Sequence, residues 1–308
     1  MKPLERLSWI SLAATYLLLI VGSIVSATGS GLACPDWPLC RGQFIPPLEG
    51  PVLIEYSHRV LAALVSLLVL ATAVAAWRRR RQIPGAGAAA ATALVVLMGQ
   101  VLLGAVTVLR ELPAEVVTGH LALGTALLVT LALLVILSRR ASGNPVFLDN
   151  TQGELRPFWP LIATGALYIE MILGAYVRHS GAGLACPDLP FCQGELIPPL
   201  KGLTTFHFLH RAGALLVAGL TLVAAARTLG TLKEQPFLKA LAPAAAIFVG
   251  LQIFLGILAV SSRLAPTVTV LHLANAEALM AIMVFLSAAC LRPSASPSAP
   301  VLLEQHST

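Results

Sequence analysis

Apolar residues fill this chain in long blocks, and polar residues collect in the short stretches between them. Eight blocks stand out, at about 8–28, 54–77, 87–109, 117–138, 158–178, 205–227, 239–260 and 268–290. Each is long enough to cross a hydrocarbon core of roughly 30 Å. In lipid the backbone must satisfy its own hydrogen bonds, so all eight are expected to be α-helices. The pattern predicts an all-α polytopic membrane protein. The first block, with Lys2 and Arg6 before it, resembles a secretory leader. It is read as a retained span, because 158–178 takes the same place in a second copy of the pattern and cannot be a cleaved leader.

That second copy appears when the chain is laid on itself with a shift of 152. Gly31–Cys40 reads GLACPDWPLC, and Gly183–Cys192 reads GLACPDLPFC. The IPPL at 45–48 falls on the IPPL at 197–200, and the HR at 58–59 on the HR at 210–211. Gln100, Gly104 and His120 fall on Gln252, Gly256 and His272. A constant shift without a gap marks a duplication. Each copy holds four spans, an even number, so both copies share one orientation. Parallel repeats of this kind are related by an axis along the membrane normal. The expected architecture is two tandem four-helix bundles, 1–140 and 158–292. They are joined by a linker at 141–157 and followed by a Ser/Pro-rich disordered tail at 293–308.

Composition fits this class. The 308 residues are 57% hydrophobic and 11% charged, against about 25% charged in soluble domains. The net charge of +6 therefore does not imply a nucleic-acid partner. Its distribution matters more. Alternating loops place 13 of the 20 basic residues on one side, including Arg78–Arg81. The positive-inside rule makes that side cytoplasmic, with both termini on it and the cysteine loops outside. A bacterial cell membrane is the expected location.

The polar residues within the spans carry the candidate chemistry. His58, His120, His210 and His272 form two pairs under the shift of 152. Each lies in the first turns of an even-numbered helix, at the extracytoplasmic end. Ionisable side chains in a membrane are costly unless paired or used. One such histidine is readily explained by a hydrogen bond to a neighbouring helix. Two equal-depth pairs in both copies suit a haem held on both faces of its ring. Zinc is the weaker reading, because it wants further ligands at the same spot. Gly119, Gly124, Gly213 and Ala274 supply small residues near the ligands. Arg59 and Arg211 have two readings. Either they pair with haem propionates, or they snorkel to the interface.

The copies differ at one informative place. EYSHR at 55–59 faces HFLHR at 207–211. Glu55 thus stands one turn before His58 on the same helix face, where the second copy has His207. A carboxylate there can accept a proton or stabilise positive charge. The plain reading is a surface ion pair with Arg59, worth about 0.3–0.5 kcal/mol. Glu170 has Leu18 as its counterpart and Glu277 has Thr125. Both stay outside the active site in this reading, either on a proton route or bonded to a neighbouring helix. His179 and His207 receive no role. Cys34 with Cys40, and Cys186 with Cys192, each bracket five residues on the oxidising side, where disulfides form. Closing so small a ring stabilises it by roughly 2 kcal/mol. Local shape, a lid over each haem edge, is the expected purpose; redox exchange and a metal-binding pair are the other readings. Cys290 has no counterpart and is read as plain core.

Taken together, the tandem four-helix halves, GSGLACPDWPLCRGQFIPP with its second copy, EYSHR, and the four helix histidines resemble the heme A synthase family over roughly 8–290. The resemblance implies an oxidoreductase that converts the C8 methyl of haem O to a formyl group, giving haem A for cytochrome oxidase. It implies a resident haem b, with its iron, on His210 and His272, and electron passage between the two haems. It places substrate haem O on His58 and His120, with Glu55 as the catalytic carboxylate. Haem O synthase and an electron donor are the implied partners, beside the lipid bilayer. The residues leave the oligomeric state open. A dihaem electron-transfer protein without chemistry on haem is the alternative. It uses the same four histidines but gives no reason for Glu55. A transporter of parallel repeats is a third reading, disfavoured because the histidines lie near one surface.

Overall fold

The computed structural model describes residues 2–142, 158–231 and 236–289. Most of the expected linker, the tail and Cys290 lie outside the described residues. Eight helices are present: α1 (Lys2–Ala27), α2 (Gly50–Arg78), α3 (Ala86–Leu109), α4 (Ala114–Ala141), α5 (Phe158–His179), α6 (Gly202–Thr231), α7 (Pro236–Ser261) and α8 (Pro266–Ala289). All eight are long and apolar enough to cross a membrane. A short 3₁₀ turn, Ala182–Leu184, follows α5.

Several helices begin before the apolar blocks do. α2 starts at Gly50, with proline in its first turn. Proline suits that position, since its missing N–H would have had no helical partner. α1 starts at Lys2, and its polar first turn is tied down. Glu5 lies 3.5 Å from Arg139 near the end of α4. Apolar content marks the lipid-spanning part of a helix and misses such solvated turns.

Within each half the helices pack in sequence, and the fourth returns to the first. α1 meets α2, α2 meets α3, α3 meets α4, and α4 meets α1. α5 to α8 repeat the pattern. The even-numbered helices that carry the histidines are thus diagonal across each half. The halves meet through α1 with α8, α4 with α5, and α4 with α8. The largest fully buried side chains on α4 and α8 include Leu128, Leu131, Leu279 and Met283. These two helices form the centre. Leucines on α2, such as Leu64 and Leu67, remain exposed, as expected of a face turned to lipid.

The contact between halves has an internal symmetry. The Thr125 hydroxyl donates to Glu277 Oε1 at 2.6 Å. These two residues are counterparts under the shift of 152. A residue that touches its own counterpart must lie beside the axis relating the copies. The flanking bonds agree. Tyr16 donates to the Ala274 carbonyl at 3.1 Å, and Tyr168 donates to the Ala122 carbonyl at 2.9 Å. Trp9 stacks on Phe285 across the same contact, with ring centroids 5.4 Å apart.

Candidate functional site

Each histidine of the two pairs is seated against a glycine on the preceding helix. A methyl added at Gly22 of α1 would lie 3.1 Å from His58 Cε1, and one at Gly104 of α3 would lie 3.1 Å from His120 Cε1. In the second half the same test gives 2.7 Å between Gly174 and His210, and 3.3 Å between Gly256 and His272. The glycines let the rings sink toward the neighbouring backbone.

The rings are poorly satisfied as core histidines. Nδ1 of His58, His120, His210 and His272 is buried without a hydrogen-bond partner. Buried polar atoms are rarely left so. His120 Nε2 lies 3.4 Å from Gln100 Nε2, and His272 Nε2 lies 3.1 Å from Gln252 Nε2. Gln252 is itself held, since Asn275 donates to its Oε1 at 2.6 Å. Among the described residues, no three or more His, Cys, Asp or Glu side chains converge. Imidazoles in diagonal pairs, each beside a glycine and with Nδ1 unbonded, are residues that would hold a haem between them.

Above the helix starts sit the cysteine loops. Cys34–Cys40 and Cys186–Cys192 are disulfide-bonded, with Cα atoms 4.6 and 4.5 Å apart. Asp36 closes the first loop by accepting from the N–H groups of Arg41 at 2.6 Å and Gly42 at 2.8 Å. Arg41 and Gly42 both have positive φ, 54° and 73°, which turns both donors inward. Asp188 accepts from Gln193 and Gly194 in the same way. The backbone N–H of Gly42 is the main cause that holds the Asp36 carboxyl below its ordinary range, and that of Gly194 does so for Asp188.

The two arginines hold these loops down. Arg59 donates to the carbonyls of Asp36 and Leu39 at 2.7 Å each and of Cys34 at 2.6 Å. Arg211 donates to the carbonyls of Asp188, Phe191 and Cys186. The readings for these arginines were propionate pairing or snorkelling. Both guanidinium groups thus bond carbonyls of the cysteine loops.

Glu55 is 3% exposed and engaged at both oxygens. Oε1 accepts from Arg59 at 2.5 Å, and Oε2 accepts from the Cys34 N–H at 2.7 Å. The expected ion pair is present, but it is buried beneath the loop. His207 takes the matching place, with Nδ1 accepting from the Cys186 N–H at 3.2 Å. Both residues therefore anchor a cysteine loop, and only the first half does so with a carboxylate.

Two glycines escaped the sequence reading. Gly22 and Gly174 are counterparts under the shift of 152, and that repetition was the available signal. Gln100 and Gln252 were visible as repeated residues, but their approach to the histidines was not. Glu170 lies against His210. Glu277 lies at the contact between halves. His179 ends α5.

The chain matches the family described as "Cytochrome oxidase assembly protein" over residues 5–52 and 50–284. It is 35% identical to the Heme A synthase of Symbiobacterium thermophilum over 229 residues, covering 72% of this chain and 74% of that protein. It is 28% identical to the Heme A synthase of Alkalihalophilus pseudofirmus over 302 residues, covering 95% and 99%. The Heme A synthase of Shouchella clausii is 32% identical over 259 residues, covering 80% and 83%. With its eight spans and its matched histidine pairs, the chain belongs to the heme A synthase family of integral membrane proteins.

Proposed function

We propose that this chain oxidises the C8 methyl group of haem O to a formyl group, yielding haem A for cytochrome oxidase. The observation that carries the reading is the asymmetry between matched sites. Each half presents a histidine pair and a disulfide loop, but only the first anchors its loop with a carboxylate, Glu55, one helical turn before a histidine. The second half's carboxylate, Glu170, comes from α5 and meets His210 from the side. His58 and His120 bind and orient haem O as substrate, and Glu55 accepts a proton as the methyl is oxidised. Each of two successive oxidations gives up two electrons to an oxidant from outside this chain and adds one oxygen atom, first to the alcohol and then to a gem-diol, which loses water to leave the aldehyde.

His210 and His272 hold a resident haem b, which supplies one-electron redox chemistry when bound. Around it this chain's residues bind and orient. Gly174 and Gly256 make room for the ligand rings, and Gln252 and Asn275 brace His272. In both halves the clamped loop shields the helix ends beneath it from water. Haem O synthase and an electron donor are the expected partners. The excess of basic residues on the loops opposite the cysteines supports a bacterial cell membrane with both termini cytoplasmic.

The test is pigment analysis of protein produced with and without a supply of haem O. The enzyme keeps one haem b throughout and yields haem A only with the supply. Two permanent haems in both preparations, with no haem A, would establish the electron carrier instead.

A further inference from the structure

The second half contains a carboxylate that the first half lacks, aimed at a haem ligand. Glu170 Oε1 on α5 lies 2.5 Å from His210 Nδ1 on α6. The two atoms stand at ion-pair distance but out of line for a hydrogen bond. The surrounding residues are fitted to this approach. The Glu170 carboxyl occupies the space that a side chain at 213 would need, and residue 213 is glycine. The counterparts of Glu170 and Gly213 are Leu18 and Leu61. Where the first half has two leucines, the second has a carboxylate and the notch that receives it. Across the site, His272 has Gln252 at its Nε2, as His120 has Gln100. Glu170 is thus the polar group that distinguishes the two ligand sets at the ring itself.

We propose that Glu170 is a positioning residue for His210 that lowers the reduction potential of the resident haem. The inference rests on the reading of His210 as a haem b ligand. With Nδ1 facing Glu170, Nε2 is the nitrogen left for iron. A carboxylate held at ion-pair distance from Nδ1 fixes the ring and, through its charge, makes the other nitrogen a stronger donor. A stronger donor favours the ferric over the ferrous state, and second-shell hydrogen bonding is one of the levers on haem potential. The first half, with Leu18 in this place, leaves its histidine unmodified.

The experiment is a redox titration of the resident haem in purified full-length protein carrying Glu170→Gln or Glu170→Leu. Gln keeps the size and a weaker dipole beside Nδ1 without the charge, and Leu restores the first-half residue. The potential should rise from wild type through Glu170→Gln to Glu170→Leu. The full step should be at least tenfold in the reduction equilibrium, about 59 mV for one electron. Low-spin bands should persist in both variants. An unchanged potential in haem-loaded Glu170→Leu, or a Gln variant above the Leu variant, overturns the proposal. His210→Ala tests the underlying reading separately. If that variant keeps the wild-type haem spectrum, His210 is not the ligand, whatever Glu170 does.

Discussion

Glu55 already accepts two hydrogen bonds from the protein, so any role in chemistry is added to a structural one. Glutamine has one acceptor oxygen and would lose one of the two donors, Arg59 or the Cys34 N–H. Glu55→Gln therefore confounds charge with loop anchoring. Glu55→His is cleaner, because the second half uses His207 at this place and its Nδ1 accepts the equivalent N–H. The His variant should fold, keep its resident haem and keep its loop docked. Haem A should fall by about 100-fold or more if the reaction needs the carboxylate's negative charge, because the imidazole can still accept a proton. Haems extracted from cells and separated by chromatography provide the readout, and wild-type haem A levels would end the catalytic claim. Gly174 offers a second test at this scale. Its added methyl would lie 2.7 Å from His210, against 3.3 Å for Gly256 and His272. Gly174→Ala should displace its ligand and weaken the low-spin absorption more than Gly256→Ala does. Overpacking of this kind costs about 1–3 kcal/mol.

The cysteine loop acts as one element with three fasteners: the disulfide, the aspartate and the arginine. Nη1 and Nη2 of Arg59 end on three loop carbonyls and on Glu55. Hydrogen bonds to charged groups contribute about 1.5–3 kcal/mol each in net terms. Arg59→Ala should release the loop even with the disulfide intact, and limited proteolysis within 31–47 should then run faster than in wild type. Arg211→Ala should do the same within 183–199. The aspartate gives the loop a pH dependence. The folded Asp36 carboxyl sits below its ordinary value, which is about 3.9 for an unfolded chain. Its contribution is therefore present above that value and is lost as pH falls through the lowered one. Exchange protection of the Gly42 amide should be flat between about pH 5 and 8 and should fall only in stronger acid. A loss of protection near neutral pH would show that another group controls the loop.

At the scale of the whole molecule, two similar halves are assigned different work and are joined at an axis. His272→Ala should abolish the low-spin haem b signal, whereas His120→Ala should keep most of it and lose haem A. Equal loss of the spectrum in both variants would end the division of roles. The join itself is testable at Thr125. Thr125→Val removes the partner of Glu277 Oε1, while Oε2 already has none. Leaving a buried carboxyl oxygen unpaired costs about 1–3 kcal/mol or more. Thermal unfolding in detergent should shift accordingly. An unchanged midpoint would show that apolar packing of α4 on α8 carries the contact alone.

The eight spans, their number per copy, the duplication and the two histidine pairs were legible in the sequence. Span length follows from bilayer thickness, and a duplication is visible as self-similarity, so neither needs contacts between distant residues. The disulfide partners were legible too, because each pair is separated by only six positions. What tertiary structure decided was the partner of each polar side chain. Arg59 and Arg211 turned to loop carbonyls, Glu55 reached the Cys34 N–H, Glu170 met His210, and Thr125 met its own counterpart. Such pairings depend on the rotation of each helix about its axis and on how closely neighbouring helices approach. Both are set by packing across the bundle, and Gly22, Gly174 and Gly213 show their effect only when a neighbouring helix fills the space they leave.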